Sequence, residues 1–147
     1  MDKQKIKNLI AAQFQASIKD LDQSIDFRDT EADLDETNTI DPEDLSHQDE
    51  SEEIKRRLEE QKAVAQSGLF ALEQLNDEAT DMVAPGAVVK TDFHLLYIGV
   101  PTRTFEMDGQ ACIGVSTDSP IYRVIEGKKA GDSFELNGKK HTIEQVW

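Results

Sequence analysis

The sequence predicts an α+β fold, in which an N-terminal antiparallel two-helix coiled-coil hairpin precedes a small β-sheet domain with one short helix. Before Pro85 the only proline is Pro42 and the only glycine is Gly68, and the apolar residues recur at helical spacing. From Pro85 onward glycine, proline and β-branched residues cluster, and the apolar period changes. We therefore expect a helical hairpin at residues 1–79 and a β domain at residues 80–147.

The first helix is predicted from about Lys3 to Phe27. Its apolar residues follow one another at steps of three or four, which keeps them on one helix face. This stripe consists of Ile6, Ile10, Phe14, Ile18, Leu21 and Ile25.

The second helix is predicted from the region of residues 41–51 to about Leu75. Asp41-Pro42-Glu43 has the chemistry of a helix start: a capping acceptor, a proline, and an acid near the positive end of the helix dipole. We expect the two stripes to bury each other, with Gln61 and Gly68 as weak points on or near the seam. The second stripe consists of Ile54, Leu58, Ala65, Leu69, Leu72 and Leu75.

The second half of the chain is predicted to contain five strands and one short helix. Asn137-Gly138 between two of these strands is a strong signal for a two-residue hairpin turn. This half has no paired His/Cys metal ligands, no Gly-rich phosphate loop and no Ser/His/Asp constellation. The predicted strands are residues 87–90, 93–100, 111–115, 133–136 and 139–146, and the predicted helix is residues 121–126.

The charge of the chain restricts its partners. With 30 acidic and 16 basic residues, its formal net charge is −14, which repels nucleic-acid phosphates and argues against autonomous DNA or RNA binding. Such a chain suits a partner protein with a basic surface, or a metal ion.

A single cysteine, Cys112, permits no intramolecular disulfide and is expected to be a small buried residue. No apolar stretch reaches the roughly 20 residues of a membrane span, and we expect a cytoplasmic protein with no membrane contact.

The acidic residues are concentrated where the two helices should be joined. No lysine or arginine occurs between Arg28 and Lys55. One interpretation is a solvated acidic loop. Another is a carboxylate tip that coordinates a divalent cation such as Mg²⁺, which prefers hard oxygen ligands and usually takes only one or two protein carboxylates. Because no regular calcium-binding loop is present, such an ion would have to be shared with a partner.

One run in the β domain resembles the C-terminal domain of the bacterial Gre transcript-cleavage factors. In that family the pattern S-P-[IL]-x-[RK]-[AV]-[IL]-x-G-K-x-x-G-D follows a β-strand, and residues 119–132 here read SPIYRVIEGKKAGD. The resemblance is strong over residues 80–147 and extends to the helical half through architecture and length. It implies an FKBP-like fold for the β domain. It also implies that Asp118, Ser119 and Pro120 form the loop that grips RNA polymerase at the rim of its secondary channel.

The resemblance also concerns the hairpin tip, where the family has a segment similar to D-L-x-E-N-A-E. This chain has DLSHQDE at residues 44–50, so that Asp44, Leu45 and Glu50 match. In the family, two tip carboxylates are thought to hold a second Mg²⁺ in the polymerase active site. Here His47 occupies the position of the second carboxylate. The resemblance therefore implies Asp44 as the ligand of a Mg²⁺ shared with polymerase, and leaves the second ligand to Asp41, Glu43 or Asp49, or missing.

Four functions are compatible with these observations. The resemblance implies a factor that is not itself an enzyme, binds RNA polymerase, stimulates its intrinsic cleavage of backtracked RNA, and meets nascent RNA only inside the polymerase. His47 favours instead a relative that enters the same channel but modulates or inhibits polymerase without cleavage. The immunophilin-like fold admits a peptidyl-prolyl isomerase, although its few aromatic residues must also serve the core. The fourth function is an acidic adaptor with no polymerase role.

Overall fold

The computed structural model describes the backbone of residues 2–35 and 42–147, and the side chains of residues 2–28 and 50–147. Two long helices precede a mixed sheet with one short helix, which confirms the predicted α+β fold class. The elements are α1 Lys3–Asp35, α2 Pro42–Gln74, β1 Val88–Thr91, β2 Leu95–Ile98, β3 Phe105–Met107, β4 Gln110–Val115, α3 Pro120–Ile125, β5 Ser133–Leu136 and β6 Lys139–Val146.

The chain forms two compact units, one of which, Phe14–Leu69, consists of the larger part of α1 and α2. The helices pack antiparallel, because Phe14 near the start of this unit lies against Gly68, while Asp22 further along α1 forms an ion pair with Lys62. The predicted stripe of α1 is half-buried in this unit, and Ala65 of α2 is buried. The hairpin is therefore held by an apolar seam with an ion pair beside it.

Two details of the helix prediction were wrong. Helix α1 continues to Asp35, eight residues beyond the predicted end at Phe27. The stretch between Phe27 and Asp41 contains no proline or glycine, and an established helix elongates easily through residues that neither break it nor pack. Gln61, expected on or near the seam, is exposed. The start of α2 at Pro42 agrees with the predicted capping chemistry.

The other unit comprises Met1–Gln13 and Phe70–Trp147 and contains a six-stranded mixed sheet. The strand order is β3-β4-β2-β1-β6-β5, with β2 and β4 parallel and every other neighbouring pair antiparallel. Strand β3 at one edge was not predicted. A two-residue turn at Asp108 and Gly109 joins β3 to β4. Both residues adopt positive φ (51° and 79°), as hairpin turns of this length require.

Both faces of the sheet are covered. All four residues of β2 are buried, although consecutive side chains point to opposite faces. Leu96 and Ile98 of β2 belong to the main core, which includes Tyr122 and Ile125 of α3. On the opposite face Tyr97 is also buried, at 1% exposure. In the same unit the helix residues Ile6, Ile10 and Leu72 are buried to 1% exposure or less. The predicted division into residues 1–79 and 80–147 remains a prediction.

Three lysines in the first turns of α1 tie the helix to other parts of this unit. Burial lowers the pKa of Lys3, against an opposing effect of Asp77. The side-chain contacts of the three lysines hold the start of α1 to the segment after α2 and to the β3–β4 turn. The contacts are Lys3 Nζ to Glu78 O at 2.6 Å, Lys5 Nζ to Asp108 Oδ1 at 2.6 Å, and Lys7 Nζ to Asp77 Oδ1 at 3.0 Å.

Candidate functional site

The first candidate site is the connection between the two long helices. Helix α1 ends at Asp35 and α2 begins at Pro42, so the backbone of residues 43, 44, 47 and 49 is helical. The side chains predicted to act at the tip lie outside the described residues, as does Asp41 entirely. The proposed roles of Asp41, Glu43, Asp44, His47 and Asp49, and of Asp44 as a Mg²⁺ ligand, therefore remain predictions.

The second candidate site is the loop between β4 and α3, which contains Asp118, Ser119 and Pro120. Ser119 is the N-cap of α3: it has extended backbone (φ −72°, ψ 148°), and its hydroxyl accepts a hydrogen bond from the backbone N–H of Tyr122 at 3.3 Å. Pro120 is the first residue of the helix, where its missing N–H costs nothing. Helix α3 therefore begins at Pro120, one residue ahead of the predicted span of residues 121–126.

Hydrogen bonds within the loop fix its shape upstream of the cap. The Asp118 N–H donates to the Ser116 hydroxyl at 3.2 Å, and the Ser119 N–H donates to the Ser116 carbonyl at 3.0 Å. Asp118 and Pro120 are exposed, while Ser119 is half-buried because its hydroxyl is engaged in the cap. The loop thus presents one carboxylate and one proline ring to solvent on an ordered backbone.

Helix α3 is held firmly beneath this loop. Tyr122 and Ile125 are buried in the core at 7% and 0% exposure. At the other end of α3, the Gly127 N–H donates to the Val83 carbonyl at 2.9 Å, and the Val83 N–H donates to the Lys128 carbonyl at 2.8 Å. Desolvation, helped by the neighbouring Glu126, raises the pKa of Tyr122. The capped loop is therefore the exposed end of a rigid platform.

A third group of side chains, which the sequence did not predict to meet, lies at one end of the sheet. His141 Nδ1 lies 3.1 Å from Asp92 Oδ2, across 49 residues of sequence. The ring of His141 also packs against Phe93 and Phe134, with ring centroids 4.6 Å and 5.5 Å apart. The contact joins the β1–β2 turn to β6 and is consistent with a structural histidine.

The ionisation of Asp92 reflects these contacts. Desolvation alone would raise the pKa of this carboxyl, but hydrogen bonds from His141 and from the Thr142 N–H, together with attraction to His141, outweigh it and lower the pKa. His94 next to this group has an Nδ1 atom that is buried without a hydrogen-bond partner, and its ring lies 5.3 Å from that of Phe93. These groups stabilise the turn, and within the described residues they belong to no cluster of three or more His, Cys, Asp or Glu side chains that could hold a metal ion.

Two buried titratable groups have no catalytic character. Cys112 is fully buried, as expected, and burial raises the pKa of its thiol to about 11. A thiol in that state is a poor nucleophile at neutral pH. Tyr97 has a pKa raised to about 12, chiefly by desolvation and further by Asp77. Both residues serve the interior of the sheet unit.

Neither a metal-binding cluster nor a membrane-spanning helix occurs in the parts of the chain that the structure describes. No group of three or more His, Cys, Asp or Glu side chains there is arranged to hold a metal ion. None of the helices in residues 2–35 and 42–147 has the length and hydropathy needed to cross a membrane. The shared ion at the acidic tip stays a prediction.

Comparison with known proteins finds similarity among solved structures alone. No protein-family model matches the chain, and no curated protein matches it. Gfh1 of Thermus aquaticus is 14% identical, with 92% of this chain and 94% of that chain covered and a TM-score of 0.34. GreA factor homolog 1 (Gfh1) of Thermus thermophilus is 12% identical, with 93% and 94% covered and a TM-score of 0.36. A further structure, described as the transcription factor Gfh1, is 14% identical, with 95% and 92% covered and a TM-score of 0.35. Similarity at this level assigns neither family nor function, which must be inferred from the residues of this chain.

Proposed function

We propose that this protein is a Gre-like transcription elongation factor, which binds bacterial RNA polymerase and inserts its hairpin tip into the secondary channel to stimulate cleavage of backtracked RNA. The observation that carries the proposal is the SPIYRVIEGKKAGD run at residues 119–132. This run resembles the Gre signature, and in the structure its start is a capped loop that exposes Asp118 and Pro120 on a rigid platform. An exposed pair on an ordered backbone is suited to docking, because little conformational entropy is lost on binding.

The long helices supply the reach that such a factor needs. Each has 33 residues, which corresponds to about 50 Å at 1.5 Å per residue. An antiparallel helix pair is thin enough to enter a channel that excludes a globular domain. Residues 29–53, which include the connection between the helices, hold twelve acidic residues and no lysine or arginine, so insertion would deliver carboxylates to a buried site.

In this proposal the polymerase performs the chemistry and the factor supplies ligands. Hydrolysis of a phosphodiester by two metal ions requires ions about 3.5–4 Å apart that stabilise the attacking and leaving oxygens. Asp44 would contribute a carboxylate to a Mg²⁺ shared with the polymerase, and Asp41, Glu43 or Asp49 would contribute a second. The free protein would bind Mg²⁺ weakly, because one or two carboxylates alone make a poor site.

His47 favours a second candidate function, in which the protein occupies the channel and modulates or inhibits polymerase without cleavage. An imidazole is a much poorer ligand than a carboxylate for Mg²⁺, which prefers oxygen. A tip with His47 in place of the second carboxylate could then fill the channel and still fail to hold the ion. The docking loop and the helix pair would serve this function equally well.

A stalled, backtracked bacterial elongation complex distinguishes these functions. The protein is added with Mg²⁺, and the RNA is followed for short 3′ fragments and for resumed elongation. Fragments above the level of polymerase alone would support a cleavage factor. Binding with altered elongation but no fragments would support the channel modulator. Absence of binding to purified polymerase would refute both and leave an acidic adaptor.

A further inference from the structure

A pocket of about 400 Å³ lies at one end of the sheet, where the β1–β2 turn, the β3–β4 turn and β6 come together. Every residue that lines it belongs to the unit that contains the sheet. We call it the turn pocket. The side chains of its lining that carry charge, a ring or both are Lys90, Asp92, Phe93, His94 and Glu144.

Hydrogen bonds fix the wall of the turn pocket at residues 91–94. The Thr91 hydroxyl donates to the His94 carbonyl at 2.8 Å and accepts from the His94 N–H at 3.1 Å. Phe93 is 38% exposed in this turn, and its ring lies 5.3 Å from that of His94 and 4.6 Å from that of His141. An aromatic ring is thus held in place at the pocket before any ligand arrives.

A β-bulge brings a carboxylate to the same pocket. The register of β1 and β6 shifts after Lys90, which pairs with Gln145, while Thr91 pairs with Ile143, so that Glu144 is the extra residue. Bulges redirect side chains and are frequent beside active sites. Glu144 Oε2 lies 3.2 Å from Lys90 Nζ, so the charge of this lysine is matched within the wall of the pocket.

The other carboxylate of the lining belongs to Asp92. It accepts a hydrogen bond from the Thr142 N–H at 3.4 Å and lies 3.1 Å from His141 Nδ1. A carboxylate has about four acceptor positions, and the Asp92 side chain is 43% exposed, so that a further donor can reach it. In the same lining His94 Nδ1 is buried without a hydrogen-bond partner. An exposed ring with carboxylates beside it is an arrangement that binds an organic cation.

We propose that the turn pocket binds the guanidinium group of an arginine side chain presented by a partner protein. A guanidinium is planar, stacks on aromatic rings and has five N–H donors, so it can lie against Phe93 while it donates to Asp92 and Glu144. A partner with exposed arginines also suits the net charge of −14. The site is independent of the polymerase contacts proposed above.

The test is an NMR titration of the full-length protein at pH 7 with N-acetyl-arginine amide, followed through the backbone amides. Saturable shifts at residues 90–95, 109–111 and 144, with a dissociation constant in the millimolar range expected for one side chain, are the predicted result. The uncharged analogue N-acetyl-citrulline amide should bind at least about tenfold more weakly, because it makes no charge-assisted hydrogen bonds. N-acetyl-lysine amide should bind about threefold more weakly, because an ammonium lacks the planar fork of donors.

Two variants with matched controls locate the site. Asp92→Asn should weaken binding of the arginine derivative about tenfold, and Phe93→Leu about threefold. The controls are Glu135→Gln, at an exposed acid of β5, and Phe70→Leu, at a phenylalanine that is 64% exposed; neither residue lines the pocket. Both should bind like wild type. Amide spectra that match wild type away from the substitution show that each variant is folded.

Defined results would overturn the proposal. Equal binding of the citrulline and arginine derivatives, equal weakening by pocket and control variants, or shifts spread over the acidic surface would refute the site. A lysine derivative that binds as tightly as the arginine derivative would refute the preference for a guanidinium. Free L-arginine that binds more tightly than the blocked derivative would make the free amino acid the ligand and refute the assignment to a partner protein.

Discussion

Gly68 of α2 lies directly against the ring of Phe14 of α1. A methyl group at position 68 would be 2.6 Å from Phe14 Cε1 and 2.7 Å from Cζ, well inside van der Waals contact. The sequence predicted a weak point here, since glycine inside a helix costs about 1 kcal/mol relative to alanine. The structure shows that this residue instead permits the aromatic ring to lie against the backbone of the opposite helix. Glycine at position 68 thus allows close packing of the two helices here.

This relationship predicts a non-additive effect on stability. Gly68→Ala gains helix propensity but forces the Phe14 ring to move, whereas in a Phe14→Ala background only the gain remains. We expect the substitution to be more favourable in that background by about 1 kcal/mol, as measured by urea denaturation followed by circular dichroism. Ser67→Ala, at the exposed neighbouring position, should have the same effect in both backgrounds. Equal effects of Gly68→Ala in the two backgrounds would show that the ring yields without cost.

A second prediction concerns acid stability and Asp92. Its folded-state pKa is lowered by His141 and the Thr142 N–H, so its ionised form stabilises the fold above the ordinary carboxyl pKa of about 4. This contribution should be lost as the pH falls below about 4 and through the lowered value. The melting temperature of wild type should therefore exceed that of Asp92→Asn at pH 6, and the difference should shrink towards pH 3.

The control for this prediction replaces the partner of Asp92. His141→Phe keeps an aromatic ring beside Phe93 and Phe134 but removes the hydrogen bond to the carboxylate. In that variant the pH-dependent part of the Asp92→Asn effect should be smaller. A difference that stays constant from pH 6 to pH 3 would mean that the ionisation of Asp92 is not coupled to folding.

Strands β5 and β6 are predicted correctly because a recognisable turn joins them. Asn137-Gly138 was read as a hairpin, and both residues have positive φ (53° and 77°) between β5 and β6. Asp108-Gly109 is a turn of the same kind, but the three residues of β3 before it are too few to show alternation. The missed strand was therefore signalled by its turn and not by its own periodicity.

The Ser119 cap and the Asp92–His141 contact also differ in whether the sequence alone predicts them. The cap at Ser119 was predictable because its partner, Tyr122, is three residues away. The contact of Asp92 with His141 was not, because its partners are 49 residues apart and meet only through the pairing of β1 with β6. Local hydrogen-bond chemistry can be inferred from sequence, while contacts across a sheet depend on strand order.

A third prediction concerns the docking loop. Asp118→Ala together with Pro120→Ala should weaken polymerase binding by about tenfold or more, because both exposed side chains are lost from the platform. The cap at Ser119 remains in this variant, so its thermal stability should change little. The measurement is affinity for purified polymerase beside a thermal melt.

Ser119→Ala is the matched control for that experiment. It removes the hydroxyl that caps α3 and should lower the free energy of unfolding by about 1 kcal/mol, while leaving both exposed side chains in place. Weaker binding with unchanged stability in the double variant, and the reverse pattern in Ser119→Ala, would separate docking from folding. Unchanged affinity of the double variant would count against this loop as the anchor.

The last prediction concerns Asp44 and His47 at the tip. If Asp44 supplies a ligand that is needed only in the reacting complex, Asp44→Ala should abolish stimulated cleavage without lowering affinity for polymerase. His47→Glu restores the second carboxylate of the Gre pattern and should raise cleavage if the imidazole limits the site. If His47 instead accepts a proton from the attacking water, His47→Glu should lower the rate, and wild-type activity should rise between pH 6 and 7. The two mechanisms thus give opposite results for one variant in the backtracked-complex assay. Cleavage by Asp44→Ala at the wild-type rate would refute the carboxylate-tip mechanism and leave the acidic stretch as a solvated connection between the helices.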